Sequence, residues 1–263
     1  MSRFASASAV TQLGDGRYAA TVPPGWDIMG NADGGYLMAI AARAAADAAE
    51  RPDPVTVTAH FMRPTGASDV TVETEVLRSG RRFSVVRSTM HSDKMLMAVL
   101  GTYGDLDDSD HVDRLESGPP DLPPPEDCVQ VEPTETVPPP FMGQVDLRLD
   151  PADSVFTTGV PSGRPRVQGW FRLLDDEPLS TMALLMAADA FPPTIFNANL
   201  PIAWTPTIEL TAHVRARPQP GWLRCVFTTR FITGGFLEED GELWDESGRL
   251  VAQSRQLALI PKG

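Results

Sequence analysis

Residues 56–66 read TVTAHFMRPTG and residues 208–221 read IELTAHVRARPQPG; the shared Thr-Ala-His falls at 58–60 and again at 211–213, an offset of 153 residues. The likeness continues outward at nearly constant spacing. The turn pair Ser79-Gly80 faces Gly234-Gly235, the turn at Ser92-Asp93 faces Ser247-Gly248, and Leu96-Met97-Ala98 faces Leu250-Val251-Ala252. A repeat of this length means that one supersecondary unit occurs twice, which sets the architecture before any local assignment.

Each half reads as a helix followed by four strands, the α+β pattern of a helix packed on an antiparallel sheet. In the first half the helix is GGYLMAIAARAAADAAE, Gly34 to Glu50, rich in helix-favouring Ala and Leu-class residues and ended by Arg51-Pro52. The next run alternates, with Val55, Val57, Ala59 and Phe61 on one face and Thr56, Thr58, His60 and Met62 on the other. Further strands are predicted near 69–78, 82–92 and 95–104. In the second half the helix PLSTMALLMAADA starts at Pro178, with proline in the first turn and Phe191-Pro192-Pro193 as its stop. Strands are predicted near 206–216, 221–232, 236–246 and 249–260. Between the halves lies an acidic stretch with nine prolines from Pro119 to Pro140, which suits neither a sheet centre nor a long helix. The resulting division is a first domain over 1–106, a Pro-rich acidic linker over 107–164 and a second domain over 165–263. The linker reads either as a passive tether or as a cover over a ligand entrance.

Bulk properties narrow the function. A chain of 263 residues with 42% hydrophobic content has room for two cores of roughly 100–130 residues each. It has no run of about 20 apolar residues to span a bilayer, and its start, MSRFASASAVTQLGDG, lacks a secretory apolar stretch, so a cytoplasmic protein is expected. Cys128 and Cys225 have no CxxC or CxxH spacing and are expected to be free thiols, without zinc. A net charge of -13 repels a polyanion and argues against nucleic acid. The one dense cationic spot, RSGRR with Arg78, Arg81 and Arg82, is either a site for the phosphates of a small ligand or a solvated hairpin tip.

Several pieces in order carry a family resemblance. They are Gly34-Gly35 opening the first helix, HFMRP from His60, GWFR from Gly169, LLMAADAFPP around Asp189, TPTIELTAH around Thr207 and WDESGRLVAQSRQLAL ending at Leu259. In these the chain resembles the TesB-like acyl-CoA thioesterases over nearly its whole length. The resemblance implies a double hotdog, two tandem domains side by side in one continuous sheet around two central helices. It implies hydrolysis of fatty acyl-CoA to free acid and CoA, by a water held between Asp189 on the second helix, Thr207 opening the following strand and Gln256 on the last strand. The first helix reads Tyr36 to Ile40 where the matching acid would stand, so one competent site is expected. Neither metal nor redox cofactor is called for. Such a unit can exist alone, and further pairing into a homodimer through sheet faces or edges is expected.

The chemistry is coherent from below. A negative charge at the carboxyl end of an apolar helix is unfavourable, and burial adds to the cost, so Asp189 calls for an explanation: a general base or an exposed helix end. Thr207 and Gln256 do not titrate near neutral pH and suit water positioning. Strand parity sets Thr207 opposite the apolar face of Ile208, Leu210, Ala212 and Val214 unless the strand start is twisted or bulged, and Gln256 is ambiguous because Leu257 and Leu259 share parity with Gln253 and Arg255. Gly34 and Gly35 could bring backbone amides to a substrate oxyanion, or only relieve a tight turn; Asp33 before them reads as the helix N-cap. Arg81 and Arg82 are the corresponding candidates for substrate phosphates.

Other schemes lack their residues. There is no GxSxG elbow, no histidine beside the first helix as a hotdog dehydratase needs, and no glycine spacing of a dinucleotide or P-loop motif. His60 and His213 occupy equivalent strand positions and read as structural; His91 and His111 read as turn and linker residues. The alternative of another class is a non-catalytic binder of acyl-CoA or a lipid-like ligand. Whether the thiol partner is CoA or an acyl carrier protein stays open at this level.

Overall fold

In the computed structural model, residues 3–106, 114–134 and 137–260 are described; His111 lies outside them. The first half runs α1 (Arg3–Ala7), β1 (Thr11–Gly14), β2 (Arg17–Val22), a small hairpin of β3 (Asp27–Ile28) and β4 (Asn31–Ala32), the long helix α2 (Gly34–Ala49), and then β5 (Asp53–Phe61), β6 (Ser68–Ser79), β7 (Ser84–His91) and β8 (Met95–Gly104). The second half runs β9 (Val129–Gln130), β10 (Val145–Leu149), β11 (Arg166–Leu173), α3 (Thr181–Ala187), β12 (Thr207–Val214), β13 (Leu223–Thr228), β14 (Ile232–Thr233), β15 (Phe236–Trp244) and β16 (Leu250–Leu259).

All strands except the β3–β4 hairpin form one 14-stranded sheet in the order β1-β2-β6-β7-β8-β5-β12-β16-β15-β13-β11-β10-β9, with β14 on β15. The halves are therefore mirrored in strand order about the antiparallel β5–β12 pair. There Thr58 pairs in register with Thr211, and their hydroxyls meet at 2.8 Å. In an antiparallel pair related by a two-fold axis, the residue on the axis meets its own copy, which is why the sequence offset of 153 reappears as a contact.

The sheet curls around α2. Tyr36, Met38, Ala39, Ile40, Ala41, Ala42, Ala44 and Ala45 are all fully buried, and only Asp47 near the C-terminal end of this helix is exposed. Alanine makes that possible, because a thin helix can be enclosed on every side without over-packing. On β5, Val57 and Ala59 point inward while His60 is exposed, as the alternation predicts, and Leu210, Ala212 and Val214 do the same on β12. This is the α+β double hotdog that the resemblance implied.

Three local features depart from the sequence-based expectation. The second helix begins at Thr181 rather than Pro178, because the Ser180 hydroxyl accepts the Ala183 N–H at 3.2 Å and serves as N-cap. Strands β1, β2 and β11 were not anticipated; β2 and β11 flank β6 and β13 at equivalent places in the two halves. The stretch read as linker also contributes β9 and β10 to the sheet edge. Proline cannot donate to a ladder, but its carbonyl still accepts. Trp170 Nε1 donates to the Pro123 carbonyl at 2.8 Å and Arg148 to that of Pro125 at 3.1 Å, which fastens the Pro-rich run to the second domain.

Candidate active site

The site begins where α2 starts. Trp26 stacks on Tyr36 with ring centroids 4.6 Å apart, and its carbonyl accepts the Asp33 N–H at 3.0 Å. Asp33 then caps the helix, its carboxylate accepting the Tyr36 N–H at 2.7 Å. Against this helix start lies the end of α3. A Cβ on Gly34 would come within 2.7 Å of an Asp189 carboxylate oxygen and 3.0 Å of the Phe61 ring. One on Gly35 would come within 2.7 Å of the Leu185 carbonyl and 2.8 Å of Asp189 Cβ. The glycine pair thus serves a close helix approach rather than a turn.

Asp189 follows the last turn of α3, its N–H donating to the Met186 carbonyl at 3.0 Å, and its carboxylate accepts the Gly35 N–H at 2.9 Å. A helix N-terminus favours an anion, which offsets the unfavourable place of the same residue at its own helix end. Burial wins over this help: the Asp189 carboxyl is pushed up to about 6, with the Gly35 and Gly34 amides pulling the other way. Its side chain still keeps a partly accessible edge. The two amides proposed for a substrate oxyanion are, in this arrangement, engaged by Asp189 itself.

Thr207 faces inward because of a bulge. It pairs with Ala258 while Glu209 pairs with Leu257, so Ile208 is an extra residue in the ladder. The extra residue shifts parity by one and turns Thr207 to the side of Leu210 and the helices, so of the two exceptions to strand parity, twist and bulge, it is the bulge that occurs. Gln256 is on that side as well: Ser254, Gln256 and Ala258 are buried while Arg255, Leu257 and Leu259 are exposed. The Thr207 hydroxyl donates to Gln256 Oε1 at 3.3 Å, and Gln256 Nε2 donates to Glu239 Oε1 at 3.2 Å.

Glu239 was not singled out from the sequence, although a signal was there. In FLEEDGELW, alternation puts Leu237, Glu239, Gly241 and Leu243 on the inner face, and all four are buried. An acid in that row is as anomalous as Asp189 on its helix. Burial pushes its carboxyl up to about 7, and the charge of Asp189 adds to the shift, while the same carboxylate is bonded to Gln256.

Arg81 and Arg82 are not brought to this constellation. They sit in the β6–β7 turn, where Arg51 donates to the carbonyls of Gly80 and Arg81 at 2.9 and 3.2 Å. That turn is at the far end of α2, whose 16 residues span about 24 Å.

Comparison with known proteins agrees with the architecture. The sequence matches the family models for the acyl-CoA thioesterase N-terminal domain over residues 22–104 and the acyl-CoA thioesterase C-terminal domain over residues 125–260. It is 30% identical to the uncharacterized protein Rv0499 of Mycobacterium tuberculosis over 267 aligned positions, covering 90% of this chain and 88% of that one. Among solved structures, a candidate thioesterase II of Thermobifida fusca superposes with a TM-score of 0.90 at 32% identity, covering 100% of this chain and 98% of that one. The acyl-CoA thioesterase II TesB2 of Mycobacterium marinum superposes at 0.75 with 16% identity, covering 99% of each chain, a likeness of fold alone. The chain belongs to the acyl-CoA thioesterase family, in its TesB-like double hotdog form, and is a thioester hydrolase.

Proposed function

We propose that the chain hydrolyses acyl-CoA at a single centre built from Asp189, Thr207 and Gln256. The observation that carries this reading is the Asp189 carboxylate, desolvated yet partly accessible and held on the first residues of α2 by the Gly35 amide. With its pKa lifted by burial to about 6 it is more basic than an ordinary aspartate, which suits it to take a proton from water near neutral pH. Water held by Asp189 and the Thr207–Gln256 pair attacks the thioester carbonyl carbon while its proton passes to Asp189. The tetrahedral intermediate then collapses, the C–S bond breaks, and the proton leaves with the thiolate as free CoA. The opposite helix junction lacks such a group: Asp53 there accepts the Thr181 hydroxyl at 2.9 Å and an Arg217 N–H at 2.6 Å, so it is neutralised by an ion pair.

Release of free thiol from acyl-CoAs of graded chain length tests this reading. The wild type should turn over, and Thr207→Ala and Gln256→Ala should each lose ~10–10³-fold in kcat. Equal turnover in all three would remove Thr207 and Gln256 from the mechanism, and no turnover by the wild type at any chain length would favour the ligand-binding alternative.

A cationic cup supports CoA as the thiol. Arg63 and Lys94 line a cavity of about 300 Å³ with Thr65, Ser92 and Asp93, whose carboxylate accepts the Ser92 hydroxyl at 3.1 Å; Arg63 lies two residues beyond Phe61 and therefore at the Asp189 end of the molecule. Neither cation has an ion-pair partner among the described residues, and both stand out in a chain of net charge -13. Phosphate groups of CoA suit this cup better than the remote Arg81 and Arg82. The doubly substituted Arg63→Ala, Lys94→Ala protein should show a raised KM for acyl-CoA, most evident at low salt, and an unchanged KM for the same acyl group on pantetheine. An equal rise for both substrates would remove the cup from the reading.

A further inference from the structure

We propose that Glu239 is a positioning residue of this centre: its carboxylate fixes which end of the Gln256 amide faces Thr207, leaving one Gln256 N–H for the reacting group. The proposal rests on the hydrolytic reading above and adds to it a residue and a pH response.

Glu239 lies directly across the β15–β16 ladder from Gln256. Its Oε1 accepts Gln256 Nε2 at 3.2 Å, and its Oε2 accepts the Thr194 N–H at 2.8 Å. The Thr194 hydroxyl is bonded to that of Thr229 at 2.6 Å, and the Thr229 hydroxyl meets the Glu238 carbonyl at 2.6 Å, so the turn that holds Glu239 is itself tied down. An ionised carboxylate only accepts hydrogen bonds. A glutamine amide can be reversed with almost no change in shape, so its polarity is set by its partners alone. Facing an acceptor, Gln256 must present its nitrogen to Glu239 and its oxygen to the Thr207 hydroxyl. The second amide hydrogen, and the lone pairs of Thr207, are then available to water or to the thioester carbonyl.

This carboxylate satisfies the buried Thr194 N–H, a task that a neutral amide oxygen performs as well, so its charge brings no structural gain. Asp189 faces it from the end of α3, Gln256 from β16, Thr194 and Thr229 from the neighbouring turns, and Glu238 flanks it on its own strand; among the described residues no cation pairs with it. A buried acid without a cation is destabilising, and a strand packs as well with an apolar residue in its place. Burial and the nearby acids lift its carboxyl to about 7. Once protonated it carries an O–H, which can donate to a reversed Gln256 and so spoil the arrangement. Protonating either carboxyl lowers activity, so activity rises with pH over the range in which Asp189 and Glu239, both lifted by burial, ionise, and more steeply than for a single group.

Glu239→Gln tests the idea with almost no change in volume. Its oxygen stays on the Thr194 N–H, so its NH2 points at Gln256 and forces that amide to reverse. Expected are a fall in kcat of ~10²-fold or more with KM little changed, a shallower rise of activity with pH, and no further loss when the substitution is added to Gln256→Ala. A wild-type kcat and pH profile in Glu239→Gln, or an additional full loss in the Gln256→Ala background, would overturn the proposal. Should that variant not fold, Glu239→Met, of similar length and apolar, takes its place: a fall in kcat with little change in KM is expected there too, and a wild-type kcat contradicts the proposal. Asp189→Asn measured alongside separates the two failures: if that variant stays active the hydrolytic reading falls, and if it is inactive while Glu239→Gln behaves as wild type only the role of Glu239 falls.

Discussion

Asp189→Asn should lower kcat/KM for acyl-CoA by ~10²–10⁴-fold while the protein melts at the same temperature or higher. The asparagine oxygen can still accept the Gly35 N–H, so the junction of α2 and α3 keeps its hydrogen bond. What is lost is the ability to take a proton from water, and what is gained is relief from a charge held in a desolvated place. The loss should fall on kcat with little effect on KM, because the carboxylate acts on water and not on the acyl chain. In the wild type, activity should fall as pH drops through about 6, where the base becomes protonated. Thiol-release kinetics across pH, with a melting curve for each protein, check both halves of the expectation. An active Asp189→Asn would leave the mechanism without its base.

Gly35→Ala should produce the other large effect, this time on stability as well as on rate. The added methyl would meet the Leu185 carbonyl at 2.7 Å, Asp189 Cβ at 2.8 Å and Met186 Cα at 3.0 Å, all of them backbone or backbone-anchored atoms that cannot swing aside. The helices must part, at a cost of ~1–3 kcal/mol, or a fall of roughly 2–12 °C in melting temperature for a protein of this size. Parting them also draws Asp189 off the Gly35 amide, so kcat should drop even in the fraction that stays folded. Calorimetry together with thiol release checks this. A variant with unchanged stability would mean that the two helices do not approach as closely as described.

Legibility followed the physics of each element. The helix Gly34–Ala49 was readable to within a residue because alanine propensity and Arg51-Pro52 act locally. Strands after it were readable because one face is buried along their whole length, so alternation is enforced. The run 129–149 was not, since proline density masks two strands whose pairing depends on distant partners in β11. Thr207 shows the same limit at the scale of one residue. Its type marked it as a candidate, but its direction depends on a bulge at Ile208 that only the register against β16 creates.

Glu239 marks the deepest version of that limit. Alternation in FLEEDGELW sets Glu239 in the row of Leu237 and Leu243, but that this row is the enclosed one is decided only when β13 and β16 close on either side of it. The sequence by itself determined the duplicated unit, the helix-and-sheet composition and the presence of one anomalous acid on the second helix, because propensity, alternation and repeat spacing act within a segment. Only the tertiary structure decided that this acid rests on the opening amides of the other helix and that Thr207, Gln256 and Glu239 form one hydrogen-bonded row. Those relations join residues tens of positions apart, and burial, which raises both carboxyls, exists only once the sheet has wrapped around the helices.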